Sequence, residues 1–285
     1  MLRLVMDTGG DLPADWIEEY EIDIIPINVH MGDEMYLEDV NLTAEDFYRW
    51  IEETGMIPKS SQPTPEQYKE LYREIAEPGD VILSIHLTSK LSGTFESAQI
   101  AARELEDEPF KVIPFDSLSG TAIQGYMCCE ARLMDRQGMS LEEILDRMAT
   151  IRDTNEVVFA LDTLDFAQKS GRVNHIESLF ASLLKIKPII HLKEGMLEIG
   201  KKVRTRASSL EYILEEMVER LKDAPVNAAV MHAHDLVTAL DFAEVVKERL
   251  NIKSFFVEEV STGIAANLGP GTIGIVAYPV GKGVL

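Results

Sequence analysis

Short apolar runs alternate with longer amphipathic stretches through the first half of the chain. Four of these runs predict buried strands, at residues 2–6, 22–29, 81–87 and 111–115. The stretches around them predict helices, at 13–20, 44–54, 65–76, 95–105, 121–137 and 140–152. Strands that alternate with helices are typical of a mostly parallel sheet. Polar turns follow three of the strands, at 7–11, 88–94 and 116–120, and we expect them to meet at one edge of that sheet.

The second half has a different pattern. Strands are predicted at 157–161, 227–232, 254–259 and 274–279, and a hairpin at 187–192 and 196–202. Helices are predicted at 164–169, 176–184, 210–222 and 236–250. This order favours a mixed α/β domain over a second copy of the first half. We therefore expect an N-terminal domain over residues 1–155 and a C-terminal domain over 156–285, with a ligand between them as the default hypothesis.

Charge and composition narrow the class of protein. The 285 residues carry a net charge of −22, which argues against nucleic acid and against more than transient contact with a membrane. The chain begins on a strand pattern, without a signal-peptide pattern or a long apolar run, so we expect a cytoplasmic protein. Cys128 and Cys129 are adjacent, which favours helix packing over a disulfide. His232 and His234 alternate at a strand end, so we predict no metal site.

The loop after the third predicted strand is the main candidate for binding. It runs from Thr88 to Thr94, carries Ser92 and Gly93, and leads into a predicted helix. The carboxyl edge of a parallel sheet is the usual ligand site, and free N–H groups at a helix start favour anions. A second hydroxyl loop, with Ser60 and Ser61, precedes another helix. Alone these serines are ordinary loop residues, but together the two loops can hold one carboxylate.

Three other features leave alternatives open. Ser92 is also a candidate nucleophile of a serine-dependent acyl hydrolase or transferase, although the G-x-S-x-G elbow is incomplete and no histidine stands out as its base. The sequence GPGTIG at 269–274 formally matches a dinucleotide fingerprint, but a strand-like segment follows it where a helix is required. Residues 185–206 form a basic segment, which is either a solvated hairpin or a docking patch for an acidic or phosphate-bearing partner. A small-anion sensor that uses this hairpin as its partner surface is a third hypothesis.

Several of these segments, in this order, resemble the DegV family. They are DTGGDL at 7–12, SSQP at 60–63, LSGTFESA at 91–98, DS at 116–117, SGRV at 170–173, KPII at 187–190, VRT at 203–205 and GPG at 269–271. The resemblance spans essentially the whole chain. It implies an α/β fold of two domains, a three-layer α/β/α domain with a parallel sheet and a two-layer α/β domain with a mixed sheet.

The resemblance also implies a function. Such a protein is a fatty-acid carrier without a cofactor, which buries a long-chain fatty acid such as palmitate, stearate or oleate. It presents the carboxylate to a separate ATP-dependent fatty acid kinase subunit, and it is not itself an enzyme. This agrees with the lack of a G-x-x-x-x-G-K-[ST] loop for ATP in the sequence.

The family motifs assign roles to individual residues. The implied ligand-binding residues are Ser60, Ser61, Ser92, Gly93, Asn267 and Arg172. Arg172 and Arg204 are the implied partner-binding residues. The chain departs from the family at two positions, because Asn267 stands where histidine is common and Gly10 where serine is usual. An asparagine still donates a hydrogen bond to a carboxylate, but it cannot carry charge or transfer a proton.

Overall fold

The computed structural model describes residues 1–174 and 186–281. Its strands are β1 (Leu2–Asp7), β2 (Ile22–Ile25), β3 (Asn28–Met31), β4 (Glu34–Leu37), β5 (Lys59–Ser61), β6 (Val81–His86), β7 (Lys111–Asp116), β8 (Glu156–Ala160), β9 (Val173–Asn174), β10 (Lys187–Lys193), β11 (Met196–Val203), β12 (Val226–His232), β13 (Ile252–Glu259) and β14 (Ile273–Pro279). Its helices are α1 (Ala14–Glu19), α2 (Ala44–Thr54), α3 (Pro65–Ile75), α4 (Thr94–Glu104), α5 (Thr121–Arg136), α6 (Leu141–Thr154), α7 (Asp165–Ser170), α8 (Arg206–Leu221), α9 (Leu236–Arg249) and α10 (Thr262–Leu268).

The first sheet is fully parallel, in the order β2-β1-β6-β7. Alternate residues of its strands point to opposite faces, as the period of a strand requires. Val5 and Ile82 pack against α3 and α4, whereas Leu4 and Leu83 pack toward α5. Both faces are therefore covered by helices, which gives the predicted three-layer α/β/α arrangement.

The second sheet is mixed, in the order β13-β12-β14-β8-β10-β11-β9. Val158 and Val230 face the apolar sides of α8 and α9. Residues of the opposite face join the same apolar cluster as α5 and α6. The hydroxyl of Tyr126 on α5 also donates to the carbonyl oxygen of Ala228 on β12, at 2.8 Å. Helix α5 is therefore a layer common to both sheets. The predicted parallel and mixed sheets of the α/β fold are confirmed, and the boundary at 155/156 stays a prediction.

One predicted strand is wrong. Residues 22–29 are not a single strand, because the chain leaves the parallel sheet at Pro26. Proline has no N–H for the ladder and restricts the residue before it. Beyond it, β3 lies in a small antiparallel sheet of order β4-β3-β5, which the sequence analysis did not predict. Helix α10 was not predicted either. The predicted helix at 176–184 lies outside the described residues.

Candidate carboxylate-binding site

The three polar turns meet at one edge of the parallel sheet, as predicted. The N–H of Thr88 donates to the carbonyl oxygen of Ser119 at 2.9 Å, and the N–H of Thr121 donates to that of Gly9 at 2.7 Å. These bonds connect the turns after β6, β7 and β1. The edge includes the point where the chain order reverses, between β1 and β6, which is the usual ligand position in an open parallel sheet.

Asp7 at the end of β1 fixes the neighbouring loops. Its carboxylate accepts the N–H groups of Gly9 and Leu87, each at 3.0 Å, and contacts Nδ1 of His86 at 3.1 Å. Nε2 of His86 lies 2.7 Å from Oγ of Ser84. All three side chains of this Asp–His–Ser series have no solvent exposure. The buried network holds the ends of β1 and β6 together, and with them the start of the Ser92 loop.

A cavity of about 140 Å³ lies beside this edge. All six predicted ligand-binding residues line it: Ser60, Ser61, Ser92, Gly93, Arg172 and Asn267. Apolar side chains form much of the remaining wall: Ile27, Leu87, Leu91, Phe159, Leu192, Leu197, Ile264 and Leu268. Among the described residues that line the cavity, Arg172 carries the only charged side chain. The cavity therefore combines apolar walls with polar groups that are neutral except for Arg172, and the ligand-binding role of each residue stays a prediction.

Two polar groups from distant parts of the chain form one end of this set. Ser60 lies on β5 and Asn267 on α10. Nδ2 of Asn267 donates to Oγ of Ser60 at 3.2 Å and to the carbonyl oxygen of Gly263 at 2.7 Å. Ser61, next along β5, contacts Nε2 of His30 at 2.8 Å.

The Ser92 loop forms the other side of the polar set. Oγ of Ser92 lies 2.6 Å from Oγ1 of Thr94 and accepts the N–H of Thr94 at 3.3 Å. Gly93 precedes α4, and a Cβ at this position would lie 2.9 Å from Nε2 of Gln62. Only a glycine lets Gln62 pack so closely. The contact brings the SSQP segment and the Ser92 loop together, as the sequence analysis expected of a two-loop site.

The two predicted arginines differ in position. Arg172 lines the cavity, and its guanidinium donates to the carbonyl oxygen of Ser170 at 2.8 Å, which satisfies the end of α7. Arg204 is exposed after β11 and is not among the residues that line the cavity. The structure thus places Arg172 with the other residues that line the cavity, and Arg204 on the surface of the basic segment.

The basic hairpin is part of the cavity wall. Strands β10 and β11 contribute Leu192 and Leu197 to it. At the hairpin turn, the carbonyl oxygen of Gly195 accepts the hydroxyl of Thr88 at 3.0 Å. The turn therefore attaches the mixed sheet to the Ser92 loop, which an entirely solvated hairpin would not do.

The geometry does not favour Ser92 as a nucleophile. An activated serine needs a base within hydrogen-bond reach. Within residues 1–174 and 186–281, the side-chain partner of Ser92 is Thr94 and no histidine contacts its hydroxyl. The one serine in a Ser–His–Asp series is Ser84, in the described part of the chain, and it is fully buried.

The structure also describes the histidines considered for a metal site and the GPG turn considered for a dinucleotide site. His234 stacks on Tyr48 with ring centroids 4.3 Å apart, and the described residues contain no cluster of three or more potential metal ligands. The GPG turn leads into strand β14, as expected, so it lacks the helix of a dinucleotide site. No helix among the described residues is long and apolar enough to cross a membrane.

The sequence analysis missed several residues of the cavity. Gln62, Phe159 and Ile264 all line it. Gln62 directly follows Ser60 and Ser61 in the SSQP segment, so this motif could have indicated that it lines the cavity. The other two are ordinary apolar residues of a strand and a short helix, and nothing in their local sequence indicates a cavity.

Comparisons with known proteins agree with these features. The profile of the DegV family matches residues 1–280. A DegV family protein from Thermus thermophilus, described for fatty acid binding, is 30% identical, with 98% of this chain and 99% of that chain covered and a TM-score of 0.88. DegV from Bacillus subtilis, described as a fatty acid binding protein, has the same identity, coverage and TM-score. A stearic acid-binding protein from Eubacterium ventriosum is 26% identical, with 98% of each chain covered and a TM-score of 0.88.

Proposed function

The chain belongs to the DegV family, and from this premise we propose that it binds a long-chain fatty acid with the carboxylate beside Ser60, Ser92 and Asn267. One observation carries the proposal: hydroxyl and amide groups from three separate segments line a cavity whose other walls are largely apolar. The fatty acids bound by its structural relatives support the same ligand class.

The polar groups suit a carboxylate. Burying an unpaired carboxylate is costly, and hydrogen bonds to the charged form offset that cost. Hydroxyls of Ser60 and Ser92, the N–H of Gly93 and one N–H of Asn267, once it turns from Oγ of Ser60 toward the ligand, are the donors that we assign to it. Ser61 and Arg172 complete the proposed set, with Arg172 toward the partner-facing side.

The apolar walls suit an acyl chain. Each buried methylene contributes about 0.8 kcal/mol, so a long chain supplies most of the binding free energy. The cavity of about 140 Å³ is smaller than the roughly 300–1,000 Å³ of most ligand pockets. We therefore infer that its side chains move apart to admit a palmitate, stearate or oleate chain.

We further propose that the protein presents the bound carboxylate to a separate ATP-dependent fatty acid kinase subunit and has no catalytic activity alone. Support comes from the family resemblance, the lack of a P-loop sequence and two arginines, Arg172 and Arg204, on the proposed partner side. Positive charges on a chain of net charge −22 are suited to orient an acidic or phosphate-bearing partner.

Titration of delipidated protein with palmitate, stearate and oleate tests ligand binding. We expect saturable binding at one site per chain and a rise in melting temperature, because a ligand that binds only the folded state stabilises it. The alcohol of the same chain length is the matched control, and its weaker binding would isolate the carboxylate. Failure of all three acids to bind or to raise the melting temperature would contradict the proposal.

The acyl hydrolase or transferase alternative has its own test. Incubation with a fluorophosphonate probe, followed by mass spectrometry of the intact chain, would detect an activated serine. Because Ser92 contacts no histidine among the described residues, we expect no adduct. Modification of Ser92 would favour the enzymatic alternative.

A further inference from the structure

A buried carboxylate, Glu38, joins three segments beside the cavity. Glu38 is 1% exposed and directly follows β4. One of its oxygens accepts the hydroxyl of Thr8, in the turn after β1. The other accepts the hydroxyl of Thr262 at 2.7 Å and the N–H of Gly263 at 3.1 Å. The side chain therefore connects the edge of the parallel sheet and the small sheet to the first turn of α10.

The same helical turn carries the proposed ligand contact. Gly263 and Asn267 are four residues apart on α10, and Nδ2 of Asn267 donates to the carbonyl oxygen of Gly263 at 2.7 Å. Both residues line the cavity. Any shift of Gly263 away from Glu38 would thus move Asn267 relative to Ser60, which Nδ2 also contacts.

Close packing restricts where this turn can lie. A Cβ on Gly263 would lie 2.9 Å from Cγ2 of Ile27 and 3.4 Å from Oε2 of Glu38. Ile27, which lines the cavity, donates its N–H to Oγ1 of Thr8 at 3.0 Å and accepts the N–H of Glu38 at 3.2 Å. Glu38 and Thr8 thus fix one cavity wall and the start of α10 together.

We propose that ionised Glu38 is a positioning residue, which holds Asn267 in place for the fatty-acid carboxylate, and that protonation of Glu38 weakens this end of the site. The inference rests on the proposed function. The carboxylate receives three donors on its two oxygens. Protonation removes the negative charge that strengthens these three hydrogen bonds, so the protonated side chain holds the start of α10 more weakly.

The surroundings of Glu38 place its protonation near neutral pH. Burial raises the pKa of Glu38 to about 7, although its hydrogen bonds oppose the rise. The titratable groups around it are Asp11, Asp39 and Tyr48. Glu38 and Asp39 also line a second cavity, of about 510 Å³, which is separate from the proposed fatty-acid cavity. Glu258 and Glu259 line this second cavity too. None of the described residues lining that cavity is cationic, so no positive charge there holds Glu38 ionised.

Oleate binding by wild-type, Glu38→Gln and Asp39→Asn proteins tests the proposal at pH 8 and pH 6. We expect Glu38→Gln to bind roughly tenfold more weakly than wild type at pH 8, as for the loss of one well-placed hydrogen bond. The ratio should approach one at pH 6, where wild-type Glu38 is also protonated. The titration of oleate itself cancels, because both proteins receive the same ligand.

Asp39→Asn is the matched control. It removes a neighbouring carboxylate that lines the same cavity, and the side chain of Asp39 makes no hydrogen bond to α10 in the described part of the chain. We expect its affinity to equal that of wild type at pH 8, where Glu38 is ionised in both proteins. A loss as large as that of Glu38→Gln would overturn the specific role of Glu38.

A second measurement reads the position of Asn267 without any ligand. Its side-chain amide signal in an NMR spectrum, assigned by its loss in Asn267→Ala, should shift between pH 6 and pH 8 in wild type and stay still in Glu38→Gln. If Glu38→Gln does not fold, the Asn267 signal of wild type is the test: a shift between pH 6 and pH 8 supports the role of Glu38, and no shift contradicts it. Lack of oleate binding by wild type would overturn the proposed function. Normal binding with a pH-independent ratio and an unmoving Asn267 signal would overturn the role of Glu38.

Discussion

At the scale of single residues, the proposed carboxylate contacts other than Arg172 are neutral groups. Ser60 and Asn267 contact each other from different elements, and Ser92 contacts Thr94 within its own loop. These hydroxyls and amides can turn toward a ligand without carrying charge themselves. A carboxylate held in this way remains the main negative charge of the cavity, which suits a group that a second protein must reach.

Ser92→Ala tests the contribution of one hydroxyl. We expect oleate to bind more weakly by about 1–3 kcal/mol, because the ligand carboxylate loses a donor in a buried place. The matched control is Ser89→Ala, since Ser89 is an exposed serine of the same loop, and among the described residues its one hydrogen bond is from its backbone N–H to Asp116. Isothermal titration calorimetry measures both changes, and equal affinities for the two variants would contradict the role of Ser92.

Asn267→Asp tests whether the ligand's charged end lies at α10. A second carboxylate near the first would repel it, so we expect a larger loss of oleate affinity than in Asn267→Ala. The alcohol of the same chain length has no charge and should discriminate little between the two variants. If oleate binds Asn267→Asp as well as Asn267→Ala, the carboxylate does not lie beside residue 267.

At the scale of elements, α10 depends on two buried carboxyl groups. Asp11 accepts the N–H of Ser261 at 2.9 Å, and Glu38 holds the next two residues. Burial raises the pKa of Asp11 well above its usual range and that of Glu38 to about 7. Buried acids of this kind cost stability in their ionised form, so their presence at the start of α10 agrees with a role in the site.

Stability should therefore depend on the ionisation of Glu38. Its folded pKa of about 7 lies above its ordinary value of 4.5, so the folded state keeps a proton that the unfolded state releases. The free energy of unfolding then falls as pH rises between these values, by about 3 kcal/mol in all. Urea unfolding of wild type and Glu38→Gln from pH 4.5 to pH 8 isolates this contribution as the difference between the proteins. A difference that is constant with pH would contradict it.

Local sequence was a good guide to elements whose signals are themselves local. Helices α3 and α6, each with a capping box, at Thr64 and Ser140, lie within a few residues of their predicted ranges, and the β10–β11 hairpin forms from the two strands that were predicted for it. The small sheet and α10 were missed because their strands and helix are short and owe their place to distant partners. Glu38 shows this well, since its bonds to Thr262 and Gly263 span more than two hundred positions.

At the scale of the whole molecule, the cavity lies where several separate units meet. The edge of the parallel sheet supplies Ser92, the small sheet supplies Ser60, and the hairpin of the mixed sheet closes over the Ser92 loop through Thr88 and Gly195. The family motifs along the chain predicted polar residues that the structure places in the cavity wall, and their role in binding stays a prediction. The motifs could not predict the apolar wall, because residues such as Phe159 acquire that role only when the sheets pack around α5.

The most direct test of the central claim is mass spectrometry of lipid extracted from the purified, folded protein. The account predicts long-chain fatty acid at about one molecule per chain, with a lower amount in Ser92→Ala than in Ser89→Ala. An extract without fatty acid, from a protein that also fails to take up palmitate, stearate or oleate after delipidation, would contradict it.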